Sequence, residues 1–424
     1  MKILWLTNLR LPIIDEILGI KANFFGGGWL SGLLQTMMEN GDNEIVLCYP
    51  EFEKKEPVSG SRESISFYGF PVDAKKNRLG LCSIDPMKSV FVDILKKEKP
   101  DVIHIHGTEF QYSYAMAKAA EDVGCLDKAM ASIQGMVSVY AHHFYGNLPR
   151  DVKLRKTVKE WIISGGADDG YRAFVRRGKY EIETIKLLHH VLGRTSWDYI
   201  NCVAINPDIK YHKSNETLRK SFYSGEWKYT GCDKHTVFVS QAGTILKGFH
   251  KVVEAAEIVK KFYSDIKICV AGPKIMNGNW IKGNSYGLYI RRQVTESGLA
   301  DHIEFLGLQN EQQMKEQMLK ANVYVATSSI ENSPNSLGEA MLLGMPCVTS
   351  DVGGVSDLIV HNKEGYVYPA DSADLLSFYI MKVFSQKEKA EMIGKEAQKH
   401  ARVTHDAECN AEGLMRIYEE IANG

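Results

Sequence analysis

The sequence predicts an α/β protein built from two doubly wound parallel-sheet domains that face each other across a cleft. Three observations carry this expectation. Short β-branched runs alternate with longer amphipathic runs along the chain, as in parallel strands covered by helices on both faces. The alternation breaks near 212–235, which leaves two series. The length of 424 residues suits two or three domains.

In the first series, "ILWLT" (3–7), "EIVLCY" (44–49), "DVIHIH" (101–106), "AMASI" (129–133) and "HVLGR" (190–194) read as strands. Helical patterns at 29–39, 86–97 and 112–123 lie between them. The second series reads "TVFVSQ" (236–241), "IKICVAG" (266–272), "IEFLG" (303–307), "NVYVAT" (322–327) and "PCVTS" (346–350). Its helices fall at 248–262, 310–320 and 335–343. The stretch between the series is polar and contains glycine, as connecting segments do. The expected organisation is an N-terminal domain (1–212), a linker (213–235), a C-terminal domain (236–400) and a terminal helix (401–424) crossing back to the N-terminal domain.

Composition bounds the function. Hydrophobic residues make up 44% and charged residues 24%, which is ordinary for a soluble globular chain. The formal net charge of −1 gives no reason to expect nucleic acid as a partner. The first apolar run ends at Thr7, too early for a signal-peptide core. No window approaches the length of a membrane span. The eight cysteines are scattered without a C-x-x-C pair, so disulfides and structural zinc are not expected and a reducing cytoplasm is.

The stretch "ENSPNSLGEAM" (331–341) carries the most chemistry. Glu331 and Glu339 are eight residues apart with Pro334 between them. A single helix would separate the two side chains by roughly 80° around its axis, and proline disfavours that helix in any case. Glu331 therefore reads as a loop carboxylate past the strand "NVYVAT", and Glu339 as a carboxylate on the next helix. Between them, the unpaired N–H groups of Asn335, Ser336 and Leu337 would attract phosphate. Two carboxylates flanking a phosphate site suit a ligand with hydroxyl-bearing rings at both ends, such as a nucleotide sugar. The competing reading is a capped helix with two solvated acids.

The flanks shift the balance towards the first reading. The stretch continues with Gly344, Pro346, Gly353, Gly354 and Asp357, then "EGYVYP" (364–369). This resembles the donor-site signature of glycosyltransferase family 4, whose members have the GT-B fold of two Rossmann-like domains around a cleft. The resemblance covers the chain in outline and is strong over about 236–370. It implies that Glu339 binds the ribose, Glu331 orients the transferred sugar, and Lys247 of "LKG" binds the donor diphosphate. The family's usual arginine, five residues before the lysine, is Ala242 here. Arg194 is the proposed substitute cation. Gly27 and Gly28 of "FFGGGWLSG" resemble the family's N-terminal glycine loop and would close over the donor.

His104 and His106 share one face of a strand, with His106 at its carboxyl end. They either hold loops in place or contact an acceptor. Gln134 stands where the family often has a histidine; it can hydrogen-bond a hydroxyl but cannot act as a base. His142 and His143 follow it. Residues 150–179 hold nine Lys/Arg against four acids, which reads as a solvated helical face or as a contact for an anionic membrane or a phosphate-bearing acceptor. No Asp-x-Asp occurs, so no metal or other cofactor is expected.

The resulting expectation is a cytoplasmic GT-B hexosyltransferase, peripheral at the inner membrane face. It would move a sugar from a nucleotide-diphosphate donor to a glycan or lipid-linked acceptor with retention, the last carried by the resemblance. The catalytic set is Glu331, Lys247, Gln134 and His106. The donor set is Gly27, Gly28, Arg194, Lys247, Asn335, Ser336, Leu337 and Glu339. A GT-B nucleotide-sugar epimerase and a non-catalytic nucleotide-sugar-binding protein are the alternatives.

Overall fold

A computed structural model describes residues 1–20, 28–39 and 43–424. They form two compact units. The first comprises Met1–Ala141, Arg172–Thr217 and His405–Gly424, and the second His142–Tyr171 and Leu218–Thr404. The chain thus changes unit four times, where the sequence suggests one linker and one return. Residues 218–235, read as linker, bury Phe222 and Trp227 in the core of the second unit. The Trp227 indole N–H donates to the carbonyl of Ala321 at 2.8 Å. Leu148 and Val152, from the half expected to be N-terminal, join the same core. A few aromatic anchors spaced along a polar stretch carry no periodic signal, so their burial is not legible in the sequence.

Among the described residues, the first unit holds eight strands: β1 (Lys2–Leu6), β2 (Glu44–Glu51), β3 (Val58–Arg62), β4 (Ile65–Pro71), β5 (Val102–His106), β6 (Ala129–Ser132), β7 (His190–Gly193) and β8 (Lys210–Lys213). Their order is β3-β4-β2-β1-β5-β6-β7-β8. All neighbours are parallel except the β3/β4 edge pair. Alternation along β1 sends Ile3 and Trp5 into one buried cluster and Leu4 and Leu6 into another, so both faces are covered. Helix Ala407–Asn423 packs on the Trp5 face. There the Tyr418 hydroxyl accepts from the Trp5 indole at 3.0 Å and meets His104 Nδ1 at 2.5 Å. His104 Nε2 pairs with Ser132 Oγ, so this buried polar group is fully partnered.

The second unit holds β9 (Thr236–Val239), β10 (Lys267–Val270), β11 (Ile303–Phe305), β12 (Val323–Ala326), β13 (Cys347–Asp351) and β14 (Tyr366–Pro369). The order β11-β10-β9-β12-β13-β14 is parallel throughout. The chain winds outward from β9 in one direction and from β12 in the other. The β9/β12 junction is therefore the point where strand order reverses, and open α/β sheets bind ligands outside the carboxyl ends of such strands. In the first unit the corresponding junction is β1/β5. Among the described residues, no helix is long and apolar enough to cross a membrane.

Candidate functional site

The loops after β9 and β12 bring the predicted donor residues of the second unit together. Lys247 ends a short turn of helix, Ile245–Lys247. Its Nζ lies 2.5 Å from Oε1 of Glu331, which also accepts from Ser328 Oγ at 2.6 Å. Gly248 follows with φ +66, and a Cβ there would lie 2.0 Å from the carbonyl oxygen of Thr327. Only glycine lets the lysine turn lie against the β12 loop. Gly353 has φ +54, and a Cβ there would lie 1.9 Å from the carbonyl oxygen of Glu331. The same carbonyl accepts from the Gly354 amide at 3.1 Å. The loop bearing Glu331 is thus gripped on both sides by glycine turns.

Helix Asn335–Leu342 starts after Pro334, with no side-chain cap. Among the described residues, the amides of Asn335 and Ser336 have no backbone acceptor, as expected for a helix start. The Leu337 amide differs from expectation: it donates to the Pro334 carbonyl at 2.9 Å, because the first turn tightens. Ser336 Oγ, Tyr324 OH and Ser240 Oγ form a hydroxyl cluster at this helix start, with separations of 2.8–3.2 Å.

Glu339 lies one turn deeper and is buried. The Arg219 guanidinium takes both its oxygens, at 2.6 and 2.7 Å. Burial pushes this carboxyl up, and the arginine opposes the shift. Sequence reasoning missed Arg219 because it sits in the stretch taken for a linker. Ala242 is buried, so no side chain at that position supplies the family's second cation.

Three other predicted residues, His106, Gln134 and Arg194, line one pocket of the first unit together with Trp29 and Glu216. Arg194 forms an ion pair with Glu216 at 2.5 Å. It also donates to the Ile133 carbonyl at 2.8 Å and meets Gln134 Oε1 at 3.3 Å. Its charge is therefore met within the first unit. His106 ends β5 at the strand-reversal junction and is buried beside the rings of Trp5 and His104. Burial holds its ring well below the usual histidine range, with His104 adding to the effect. Among the described residues, neither of its ring nitrogens has a hydrogen-bond partner. Such a neutral, unsatisfied donor and acceptor costs about 1–3 kcal/mol unless a ligand pairs with it. Gly28 is the first residue of helix Gly28–Glu39. Gly27 lies outside the described residues.

The basic run 150–179 is not one face. Residues up to 171 belong to the second unit and those from 172 to the first. Arg177 is buried, its guanidinium 4.8 Å from the ring of Phe110 and 4.7 Å from that of Phe174. Arg176 donates to the Leu79 carbonyl, and Lys156 pairs with Asp169. Among the described residues, no group of three or more His, Cys, Asp or Glu is placed to hold a metal ion.

Residues 230–400 match the family profile of glycosyl transferases group 1. The chain is 24% identical over 190 residues to spore coat protein SA of Bacillus subtilis, covering 44% of this chain and 49% of that protein. It is 27% identical over 198 residues to phosphatidyl-myo-inositol mannosyltransferase of Mycobacterium leprae, covering 46% and 48%. These matches span about half the length of either relative. Among solved structures, sucrose-phosphate synthase from Thermosynechococcus elongatus matches with a TM-score of 0.70 at 12% identity, covering 99% of this chain and 98% of that one. Anabaena HepE in complex with UDP-glucose matches with a TM-score of 0.69 at 14% identity, covering 99% and 100%. The described chain accordingly has the GT-B fold, two Rossmann-like α/β units, and its likeness in sequence to group 1 glycosyl transferases runs through the unit that carries Lys247, Glu331 and Glu339.

Proposed function

We propose that the chain is a retaining glycosyltransferase of family 4 type. It moves a hexosyl group from a nucleotide-diphosphate donor to a hydroxyl of a glycan or lipid-linked acceptor. The observation that carries this reading is the convergence of Lys247, Glu331 and the open start of helix Asn335–Leu342 beyond the β9 and β12 strand ends. Lys247 and the Asn335 and Ser336 amides receive the diphosphate. Glu331, released from Lys247, orients the sugar. Glu339 takes ribose hydroxyls through the lone pairs that Arg219 leaves open, since a carboxylate offers about four acceptor sites.

In the reaction the bond from C1 of the sugar to the phosphate oxygen breaks and a bond from C1 to the acceptor oxygen forms. The acceptor proton passes to the leaving diphosphate, whose charge Lys247 stabilises as it develops. His106 and Gln134 contact the acceptor, which the unpartnered ring nitrogens of His106 support. Transfer proceeds without a metal, so turnover persists in EDTA; a rate abolished by EDTA and restored by magnesium would contradict the lysine-and-helix account. The eight cysteines are unpaired, in keeping with a cytoplasmic setting. The exposed cations at the start of the basic run, Arg150, Arg155 and Lys159, draw the protein to the anionic inner membrane face.

HepE is described in complex with UDP-glucose, so UDP-sugars are the first donors to screen by thermal shift. A donor at 100 times its dissociation constant stabilises by about 2.7 kcal/mol. Product analysis with labelled donor then decides the reading. Label appearing in an acceptor glycoside supports transfer. Label confined to an epimerised donor, or binding without turnover, overturns it.

A further inference from the structure

In the second unit two segments distant in sequence are joined through the main chain. The amides of Val158 and Lys159, which open helix Val158–Ile163, donate to the carbonyls of Trp280 and Ile281 at 2.9 and 3.0 Å. Thr157 Oγ1 donates to the Gly283 carbonyl at 2.9 Å. The buried Glu160 carboxylate accepts from the Ser285 amide and hydroxyl. A capping box between Thr157 and Glu160 closes the same turn. These bonds satisfy the helix start and fix the direction in which its outer face points.

That outer face is apolar. Val158, Trp161 and Ile162 are spaced three and four residues apart, on one side of the helix. They are 53%, 77% and 63% exposed. Trp280 and Ile281, 47% and 60% exposed, extend the surface from the joined segment. Single exposed apolar residues need no explanation, but a connected set of this size marks an interaction surface.

The charges around it have one dominant sign. Within 150–163 Arg150, Lys153, Arg155 and Lys159 carry positive charge, and Lys156 is already paired with Asp169. Of the two acids in this stretch, Glu160 is buried, leaving Asp151 exposed. Segment 274–282 adds Lys274 and Lys282 and contains no acid. The Arg155 guanidinium lies 5.8 Å from the Trp280 ring. Both line a concavity of about 490 Å³ that also holds Arg291, Arg292, Asp151 and Glu296. Protein–protein interfaces are depleted in lysine at their centres. Tryptophan and isoleucine rimmed by lysine and arginine instead match the headgroup–acyl boundary of an anionic bilayer.

We infer that helix Val158–Ile163 and segment Trp280–Ile281 form one membrane-docking surface. Trp161, Ile162 and Ile281 enter the headgroup–acyl boundary of an anionic bilayer, while the surrounding lysines and arginines meet lipid phosphates. The inference deepens the reading of 150–179 as membrane-facing and alters it. The cations from 172 onward lie in the other unit, and binding gains an apolar component that salt does not screen.

The test is co-sedimentation of the full chain with phosphatidylcholine vesicles, with and without phosphatidylglycerol, at low and high salt. Binding should require phosphatidylglycerol, weaken with salt and persist in part at high salt. The double variant Trp161→Glu, Ile162→Glu should lower the partition coefficient about tenfold or more, the scale of losing buried apolar side chains. Its thermal midpoint should match the parent, since both side chains are exposed. Unchanged binding by the double variant, or binding wholly reversed by salt, would overturn insertion and leave only the electrostatic reading of the basic run. Equal binding to vesicles lacking phosphatidylglycerol would overturn the anionic commitment. Self-association of the parent that the double variant abolishes, without vesicle binding, would assign the surface to a second copy. None of these readouts uses sugar transfer, so their failure is separable from failure of the transferase reading.

Discussion

At the scale of single residues, the ion pair between Lys247 and Glu331 sets the ligand-free state. At 2.5 Å each charge is spent on the other, so a diphosphate entering the site must take Lys247 from Glu331. Lys247→Ala should lower kcat by roughly 100- to 1,000-fold, the scale for one preorganised transition-state donor, while a loss below threefold would mean that the phosphate is held elsewhere. Glu331→Ala should also act mainly on kcat, and the double variant should lose less than the product of the two single losses, because contacting residues couple. Steady-state rates for the four proteins measure this, and strictly multiplicative losses would show that the two side chains act independently. Arg219 serves a different purpose. Arg219→Ala strands the buried Glu339 carboxylate, and breaking a buried pair in this way costs about 3–5 kcal/mol. Urea unfolding should register that loss, and adding Glu339→Gln should return part of it, since the unpaired charge is then gone.

At the scale of elements, the site depends on how tightly the β12 loop is gripped. Gly248 lies against Thr327 on one side and Gly353 against Glu331 on the other, each too close for a Cβ. Gly353→Ala combines a left-handed backbone with a clash against backbone, so it should destabilise by about 1–3 kcal/mol or more and depress turnover by moving Glu331. Gly243→Ala, where a Cβ meets nothing within 4 Å, is the matched control. Equal urea midpoints for the two variants would mean that the loop yields without cost. Much of this region was legible in the sequence: the spacing of Glu331 and Glu339 about Pro334 places them on a loop and a helix, and the family resemblance singles out Lys247-Gly248 and the Gly353-Gly354 turn. Strands β1, β2 and β5 were legible through their continuous apolar runs. Strands β3 ("VSGSR") and β8 ("KYHK") were not, because each is polar and carries no continuous apolar run. The charge run 150–179 misled for the opposite reason. Arg177 buries its stem and stacks its head on two aromatic rings, a use of arginine that composition does not distinguish from a solvated one. Arg219 was hidden because its partner Glu339 stands 120 residues away.

At the scale of the whole molecule, buried titratable groups decide the response to acid, and two kinds oppose each other. Burial holds His104 at about 3 and His250 at about 4, and holds His106 well below the usual range. Each is neutral in the folded chain, whereas an unfolded histidine titrates near about 6.5. Below that value the unfolded chain binds more protons, so the stability these residues contribute is present above about pH 6.5 and lost as pH falls towards about 4. Glu181 works the other way. Burial raises its carboxyl to about 7, although Thr108, the Val137 amide and Ser138 all donate to it. Its folded pKa lies above the unfolded value of about 4.5, so its contribution is present below about 4.5 and lost as pH rises through about 7. On acidification the glutamate therefore offsets part of what the histidines lose. Glu181→Gln removes that offset, because an amide gains no proton. The parent should lose stability as pH falls from about 6.5 to about 4. The variant should lose it more steeply, so that the stability of the parent relative to the variant grows between about pH 7 and about pH 4.5. Urea midpoints measured for both proteins across that range provide the test. Parallel curves would remove Glu181 from the account, and a parent midpoint that stays flat to about pH 4 would remove the histidines as well.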